Sequence, residues 1–373
     1  MNKTPKLRFN EFSEGWGSKK IGQTLKIKHG KDQKKVQVEN GVYPILATGG
    51  EIGRTNTPLY DKESVLIGRK GTIDRPVYMN TPFWTVDTLF YSEIKEGMHP
   101  KFIYYKFQNI NWKKYCEASG VPSLSASTIE GIKYNIPSIK EQEKIASFFS
   151  LIDNKISLQI KKVNFLKEYN NGIMQRIFSN ELRFKNNDGK DYPEWEEKKL
   201  GELVIFTNGK AHENCIDECG EYIVVNSKFI SSGGSVVKLS NENFCPLKKD
   251  DIVMVMSDVP NGKALAKCYL IDKDEKYTLN QRICGLRSRG ADYKFLYYSI
   301  NRNKYYLKFD NGVGQTNLRK DEVLECPILL PCKEEQEKIG SLLLDLDIKL
   351  EKEQEKLSSL NEYKKGLLQQ MFV

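Results

Sequence analysis

The residues that could carry acid–base, metal or nucleophilic chemistry in this chain are few and poorly spaced for it. His212, Cys215 and Cys219 lie close together and, with Cys245, bring donors that zinc accepts. Their spacing fits no zinc motif, however, and small core cysteines read the same way. The neighbouring carboxylates Asp250 and Asp251, and Glu196 and Glu197, read as solvated loop charges rather than a nuclease centre. With only 3 histidines in 373 residues, proton transfer is thinly provisioned. No G-x-x-x-x-G-K-[ST] loop, H-E-x-x-H helix or G-x-G-x-x-G turn is present. Nor is there the Asn-Pro-Pro-aromatic or Asp-Pro-Pro-aromatic tetrapeptide by which amino-methyltransferases hold an extruded base. Recognition, not catalysis, is the chemistry left.

Polar and cationic side chains gather on glycine-flanked turns. Ala47-Thr48-Gly49-Gly50 with Arg54, and Gly68-Arg69-Lys70-Gly71-Thr72, are two of them. Asn226–Gly234 and Ser257–Lys263 occupy corresponding places in the second half. Each is also an ordinary hairpin turn in which glycine supplies positive φ. Seven lysines (Lys19, Lys20, Lys26, Lys28, Lys31, Lys34 and Lys35) crowd the beginning. They suit a phosphate backbone or a solvated charged face equally. The net charge of +9 and pI near 8.9 are compatible with a polyanionic partner. Seven of the eight cysteines fall after residue 200, in no disulfide-like pattern, which suits a reducing compartment. No N-terminal apolar core and no run near ~18 apolar residues is found, so a soluble, unprocessed, cytoplasmic protein is expected, without membrane partners.

The elements that position these turns are announced by a repeat. Residues 137–179 slide onto residues 331–373 without a gap over 43 positions, and sixteen pairs are identical. Both copies carry a heptad. In the first, Ile145, Phe149, Ile152, Ile156, Gln159, Val163, Leu166, Asn170, Ile173 and Ile177 form a seam with only two polar members. In the second, Glu353 and Lys364 are polar at the same two places. Ser138 and Glu141 after Pro137 fit a capping box. At about 1.5 Å per residue each helix is roughly 60 Å long, so a single domain of residues 180–330 can link them only if they run antiparallel.

The duplication extends into the domain bodies, where Trp16 matches Trp195, Gly22 matches Gly201, Gly30 matches Gly209 and Tyr43 matches Tyr222. Val42–Ala47, Val65–Ile67, Tyr222–Val225 and Ile252–Val255 read as strands. Lys101–Tyr115 and Lys294–Phe309, with aromatics at three- and four-residue spacing, read as helices, each followed by a glycine-containing loop (Ser119–Ser125, Asn311–Leu318) and a strand. The expected fold is mixed α/β. Two globular domains (1–136 and 180–330) alternate with two long helices (137–179 and 331–373) that form an antiparallel coiled coil with pseudo-two-fold symmetry.

This arrangement resembles the specificity subunit of type I restriction-modification enzymes. The resemblance rests on Pro137, Glu141, Gln142, Lys144, Ile145 and Asp153-Asn154-Lys155-Ile156, and again on Pro331, Glu335, Gln336, Lys338, Ile339 and Asp347-Ile348-Lys349-Leu350. It implies that each domain is a target recognition domain reading one half of an asymmetric, bipartite double-stranded DNA target, with the helices setting the spacer. Two modification (methyltransferase) subunits would supply S-adenosylmethionine chemistry, and restriction subunits ATP- and Mg2+-dependent translocation and cleavage. No cofactor or metal is expected in this chain. The DNA-contact candidates are Thr48, Arg54, Arg69, Lys70 and Ser119 in the first domain. In the second they are Lys228, Ser231, Ser257, Lys263 and Gln315. Helix positions outside the seam that match in both copies are candidates for partner docking: Phe148 and Leu342, Tyr169 and Tyr363, Gly172 and Gly366, Phe178 and Phe372. The same side chains could instead fold back onto their own domains. A stand-alone DNA-binding regulator, or an unrecognised nuclease, are the other classes left open.

Overall fold

The computed structural model describes residues 4–260 and 262–373, so Asn261 of the Ser257–Lys263 turn lies outside the described residues. The chain divides into two units, Met1–Lys162 with Glu353–Val373, and Val163–Lys352.

The first unit begins with β1 (Gly17–Lys20), α1 (Ile21–Thr24), β2 (Leu25–Lys28), β3 (Gln37–Val38), β4 (Tyr43–Ala47) and β5 (Gly50–Thr55). It continues with β6 (Ser64–Gly68), β7 (Val77–Met79), β8 (Trp84–Thr85), β9 (Leu89–Ile94), α2 (Pro100–Gln108), α3 (Ala126–Gly131) and β10 (Lys133–Ile136). Helix α4 (Ile139–Phe178) follows. One antiparallel sheet runs β2-β9-β6-β7 and a second runs β3-β5-β4-β8, with β8 parallel to β4. β1 and β10 close the domain as a separate antiparallel pair.

The second unit repeats this plan with β11 (Glu196–Lys199), α5 (Leu200–Leu203), β12 (Val204–Asn208), β13 (Tyr222–Val225), α6 (Ser227–Ser231) and β14 (Leu239–Ser240). Then come β15 (Ile252–Val255), β16 (Ser257–Asp258), β17 (Cys268–Leu270), β18 (Tyr277–Leu279), β19 (Ile283–Ser288) and α7 (Tyr293–Ile300). α8 (Lys304–Leu307), β20 (Thr316–Asn317), α9 (Lys320–Leu324) and β21 (Pro327–Leu330) follow, and then α10 (Lys333–Met371), whose part from Glu353 onward belongs to the first unit. Its sheets run β12-β19-β15-β17 and β14-β13-β18, with β18 parallel to β13, and β11 pairs with β21. The two domain bodies therefore share the order of one four-stranded sheet and a parallel pair in the other, where the first unit carries an additional strand, β3. The matched glycines have a steric basis: a side chain on Gly30 would strike the carbonyls of Thr85 and Val86, and one on Gly209 that of Asn280.

The aromatic segments differ from expectation in the same way twice. Each helix stops early, α2 at Gln108 and α7 at Ile300, and a separate turn follows at Trp112–Tyr115 and at Lys304–Leu307. Arg302 adopts φ 55°, and Asn303 caps the new start by accepting the Tyr305 N–H. Short helices α3 and α9 also stand where only loop and strand were expected. Ser125 caps α3 by accepting the Thr128 N–H at 3.1 Å.

The heptad seams are buried or half-buried throughout the long helices. In the first unit the early part of α4 and the late part of α10 run antiparallel. Lys364 pairs with Asp153 at 2.6 Å, while further along α4 Gln159 donates to Glu353, earlier on α10, at 2.7 Å. Phe149, Leu367, Leu368, Met371 and Phe372 share one core with Trp16 and Phe102. In the second unit Ile177, Ile339 and Leu343 join a core containing Phe295 and Leu296.

The repeated Glu-Gln and Asp signature anchors each domain to its helix. Buried Glu141 accepts from Arg8 Nε (2.8 Å), Arg8 Nη2 (2.7 Å) and Trp16 Nε1 (3.2 Å). Glu335 accepts from Arg183 Nη2 (2.9 Å) and Trp195 Nε1 (3.1 Å). Glu141 thus clamps the domain's opening segment and is not the capping-box partner of Ser138. Gln142 bridges the Pro137 carbonyl and the His99 N–H, as Gln336 bridges Pro331 and Asp292. Tyr105 donates to Asp153 at 2.8 Å and Tyr298 to Asp347 at 2.7 Å.

Candidate nucleic-acid interface

In the first unit the strand β6 runs out into the Gly68–Thr72 turn, which the loop before α3 clasps. Gly71 N–H donates to the Pro122 carbonyl (2.8 Å), Leu124 N–H to the Arg69 carbonyl (2.9 Å), and Lys70 bridges Ser123. Gly68 must lack a side chain because one would strike the Thr72 carbonyl, and Gly71 sits at φ 86°. Thr48, on the β4–β5 turn, lies against both glycines. Arg69 is held by the Asp87 carboxylate, whereas Lys70 and Ser119 are exposed. A cleft of about 490 Å3 beside them is lined by His29, Arg69, Lys70, Glu117 and Ser123 among others. Thr48, Arg69, Lys70 and the Ser119 loop are therefore brought together. Arg54 is not. Its guanidinium is paired with Glu51 at 2.9 Å and turned to the carbonyls of Gly41 and Val42.

The second unit builds the same clasp from different residues. Beyond β15, β16 pairs with β20 in the loop before α9. Ser257 is buried and its hydroxyl is committed, donating to Asn317 Oδ1 (2.6 Å) and accepting from Gln315 Nε2 (2.7 Å). Ser257 therefore positions two exposed amides and is not itself offered to a ligand, a correction to its place among the contact candidates. The Asp258 carboxylate accepts the N–H groups of Val259, Ala264 and Leu265 and so shapes the turn that carries exposed Lys263. Lys228 and Ser231 are exposed on α6, and the Ser231 carbonyl accepts Lys267 Nζ at 2.8 Å. Sequence reasoning missed Asp87 and Asn317, whose roles depend on partners 18 and 60 residues away.

Two of the residues weighed for metal or acid–base chemistry have structural partners. His212 is buried with Nδ1 donating to the Lys210 carbonyl and Nε2 paired with Thr278 Oγ1, both at 2.8 Å. Asp251 is spent on Arg287 at 2.6 and 2.7 Å. Among the described residues no group of three or more His, Cys, Asp or Glu is placed to hold a metal ion. No described helix is long and apolar enough to cross a membrane.

Half of the helix candidates for docking prove to be core. Phe148 meets Phe9 edge-on at 5.7 Å, and Phe372 packs on Phe102, Phe149 and Trp16. Phe178 packs on Phe295, and Leu342 joins the second unit's core. Tyr169 (47% exposed) and Tyr363 (58%) remain on the surface, and a side chain added at Gly172 or Gly366 would meet nothing within 4 Å.

The sequence model of the type I restriction modification DNA specificity domain matches residues 13–168 and 192–362. The type I restriction enzyme MjaVIII specificity subunit of Methanocaldococcus jannaschii is 25% identical over 390 residues, covering 95% of this chain and 91% of that protein. The fold is that of the type I restriction-modification S subunit from M. genitalium, at TM-score 0.68 and 18% identity over 99% of both chains. A second structure, from work on complex assembly and conformational transition of the type I R-M system, matches at TM-score 0.55 and 12% identity over 95% of this chain and 97% of that one. The chain belongs to the type I restriction-modification DNA specificity family: it is a specificity subunit, the DNA-recognising member of such a system rather than its catalyst.

Proposed function

We propose that each unit reads one half of a split, asymmetric duplex target, with α4 and α10 setting the spacer between the halves. Two modification subunits bring S-adenosylmethionine, and restriction subunits bring ATP- and Mg2+-dependent cleavage. The observation that carries this reading is the pair of clasps, alike in topology and unlike in chemistry: Thr48, Arg69 and Lys70 in one, Lys263, Gln315 and Asn317 in the other. A common scaffold with different polar side chains is what two different half-sites require, since phosphate contacts position and base-edge contacts specify. On the helices, Tyr169, Gly172, Tyr363 and Gly366 remain as docking positions for the modification subunits.

The test is the pattern of DNA methylation in cells carrying this chain with its modification subunits. A non-palindromic target in two parts separated by a fixed spacer is expected. A continuous or palindromic target, or unchanged methylation without this chain, overturns the proposal. Within such a complex Lys70→Ala should weaken binding to all duplexes alike and flatten the salt dependence. Gln315→Ala should relax selectivity at one base by about 1–3 kcal/mol, read by competition binding.

A further inference from the structure

The loops that complete the two clasps share an odd feature. Ser119–Ser125 and Asn311–Leu318 are built mainly of Gly, Ser, Asn, Gln, Thr and Pro, yet each carries a valine at its tip, Val121 at 66% exposure and Val313 at 86%. These tips are held in place. The Asn311 side-chain carbonyl accepts the Val313 N–H at 3.0 Å, and Asp310 accepts both the Gly312 N–H (3.0 Å) and the Thr316 hydroxyl (3.3 Å). Val121 stands between Gly120 and Pro122, whose carbonyl is fixed by the Gly71 N–H. A lone exposed valine needs no explanation. Two of them, in the same loop of two domains whose other exposed side chains have diverged, do. Each lies in a clasp with exposed polar residues: Lys70 in the first, and in the second Gln315 and Asn317, whose Nε2 and Oδ1 are bonded to Ser257.

We propose that Val121 and Val313 are specificity-determining contacts to thymine, each laying its methyl groups against the C5-methyl of a thymine in the major groove of its half-site. This rests on the DNA-reading proposal above. The chemistry of an A·T pair favours it: adenine offers N6 and N7 to a Gln or Asn amide, and the partner thymine presents its methyl in the same groove. With Gln315 Nε2 and Asn317 Oδ1 spent on Ser257, the Gln315 carbonyl oxygen and the Asn317 amide nitrogen are the groups left to meet adenine N6 and N7, and the Val313 side chain is the other half of such a reader. A short β-branched side chain suits this contact better than a wedge between base steps, which uses longer groups.

The test uses the full chain with its modification subunits and the duplex target defined by methylation mapping, with each thymine replaced singly by deoxyuridine, which lacks only the methyl. One replacement in the half read by the second unit should weaken wild-type binding about fourfold, the worth of a single buried methyl, and leave the Val313→Ala complex unaffected. Val121→Ala should behave the same way on the other half. Unfolding midpoints of both variants should match wild type, since neither side chain is packed. Equal sensitivity of wild type and variant to every replacement overturns the inference. So does a variant that loses a modification subunit from the complex, which would make the tip a protein contact. Absence of any site-specific binding by the wild-type complex overturns the DNA-reading proposal itself.

Discussion

At the scale of single residues, the buried carboxylates decide how each domain is held. Glu141 is 1% exposed and receives three donors from Arg8 and Trp16. Replacing it with Gln leaves a guanidinium without its counter-charge in a protected place, a loss of about 3 kcal/mol, to be read as a shift in the urea unfolding of that unit. Glu335→Gln should do the same through Arg183 and Trp195. Lys106 makes a different kind of statement. It is 4% exposed, its ammonium donates to the Val373 carbonyl over the Phe372 ring, and burial pulls its pKa down to about 8. Between that value and the ordinary 10.5 the unfolded chain holds the proton while the folded one has released it, so stability rises with pH across the window. Relative to a Lys106→Met variant, the wild type should therefore gain stability from about pH 8 upward and hold a constant offset below it. An offset that does not change with pH refutes this account.

At the scale of elements, the two seams are alike except at one corner. Lys364 pairs with Asp153 and sits over Tyr105, whereas its counterpart Asn170 has both amide atoms buried without a hydrogen-bond partner. The corner is otherwise repeated, Tyr298 donating to Asp347 as Tyr105 does to Asp153. Asn170→Lys should therefore stabilise the second unit and Lys364→Asn destabilise the first, each by about 1 kcal/mol in chemical unfolding, modest because such pairs are partly solvated. Gly366→Leu meets open space in its own fold and improves helix propensity. Loss of one modification subunit from that variant's complex, by native mass measurement, would mark a docking face there, and an intact complex would clear the position of that role. The long helices and their seam were legible because a heptad is a local, repeated signal. So were the strands β13 and β15, which match the apolar runs residue for residue. The breaks were not: after α7, Arg302 and Asn303 interrupt a pattern of aromatics that continues past them, as residues 109–111 do after α2. Nor was the partner of Glu141, because Arg8 lies 133 residues away and a nearby serine offered a local alternative. At the clasps, glycine and charge pointed to the loops on which Arg69, Lys70 and Gln315 lie close together in their own units. The partners of Arg54, Arg69 and Ser257 were not legible, because only three-dimensional pairing reveals which polar side chains are already engaged.

At the scale of the whole molecule, a topology used twice allows each unit to be altered with little effect on the other's recognition. Exchanging the loop 311–318 for that of a relative should change one half of the methylated target and leave the other half and the spacer as they were, read by methylation mapping. The first unit, however, is completed by residues from the far end of the chain: Leu367, Leu368, Met371 and Phe372 lie in its core, and the Leu7 N–H donates to the Gln370 carbonyl. Deletion of residues 367–373 should consequently abolish cooperative unfolding of the first unit, seen as early cleavage by protease within residues 1–136. On the ribosome, residues 1–136 have to wait, their aromatic core open, until residues 367–372 have been made. Chaperones thus have a long exposure to residues 1–136, and a lesion in the codons for 367–372 acts on the folding of a segment made much earlier.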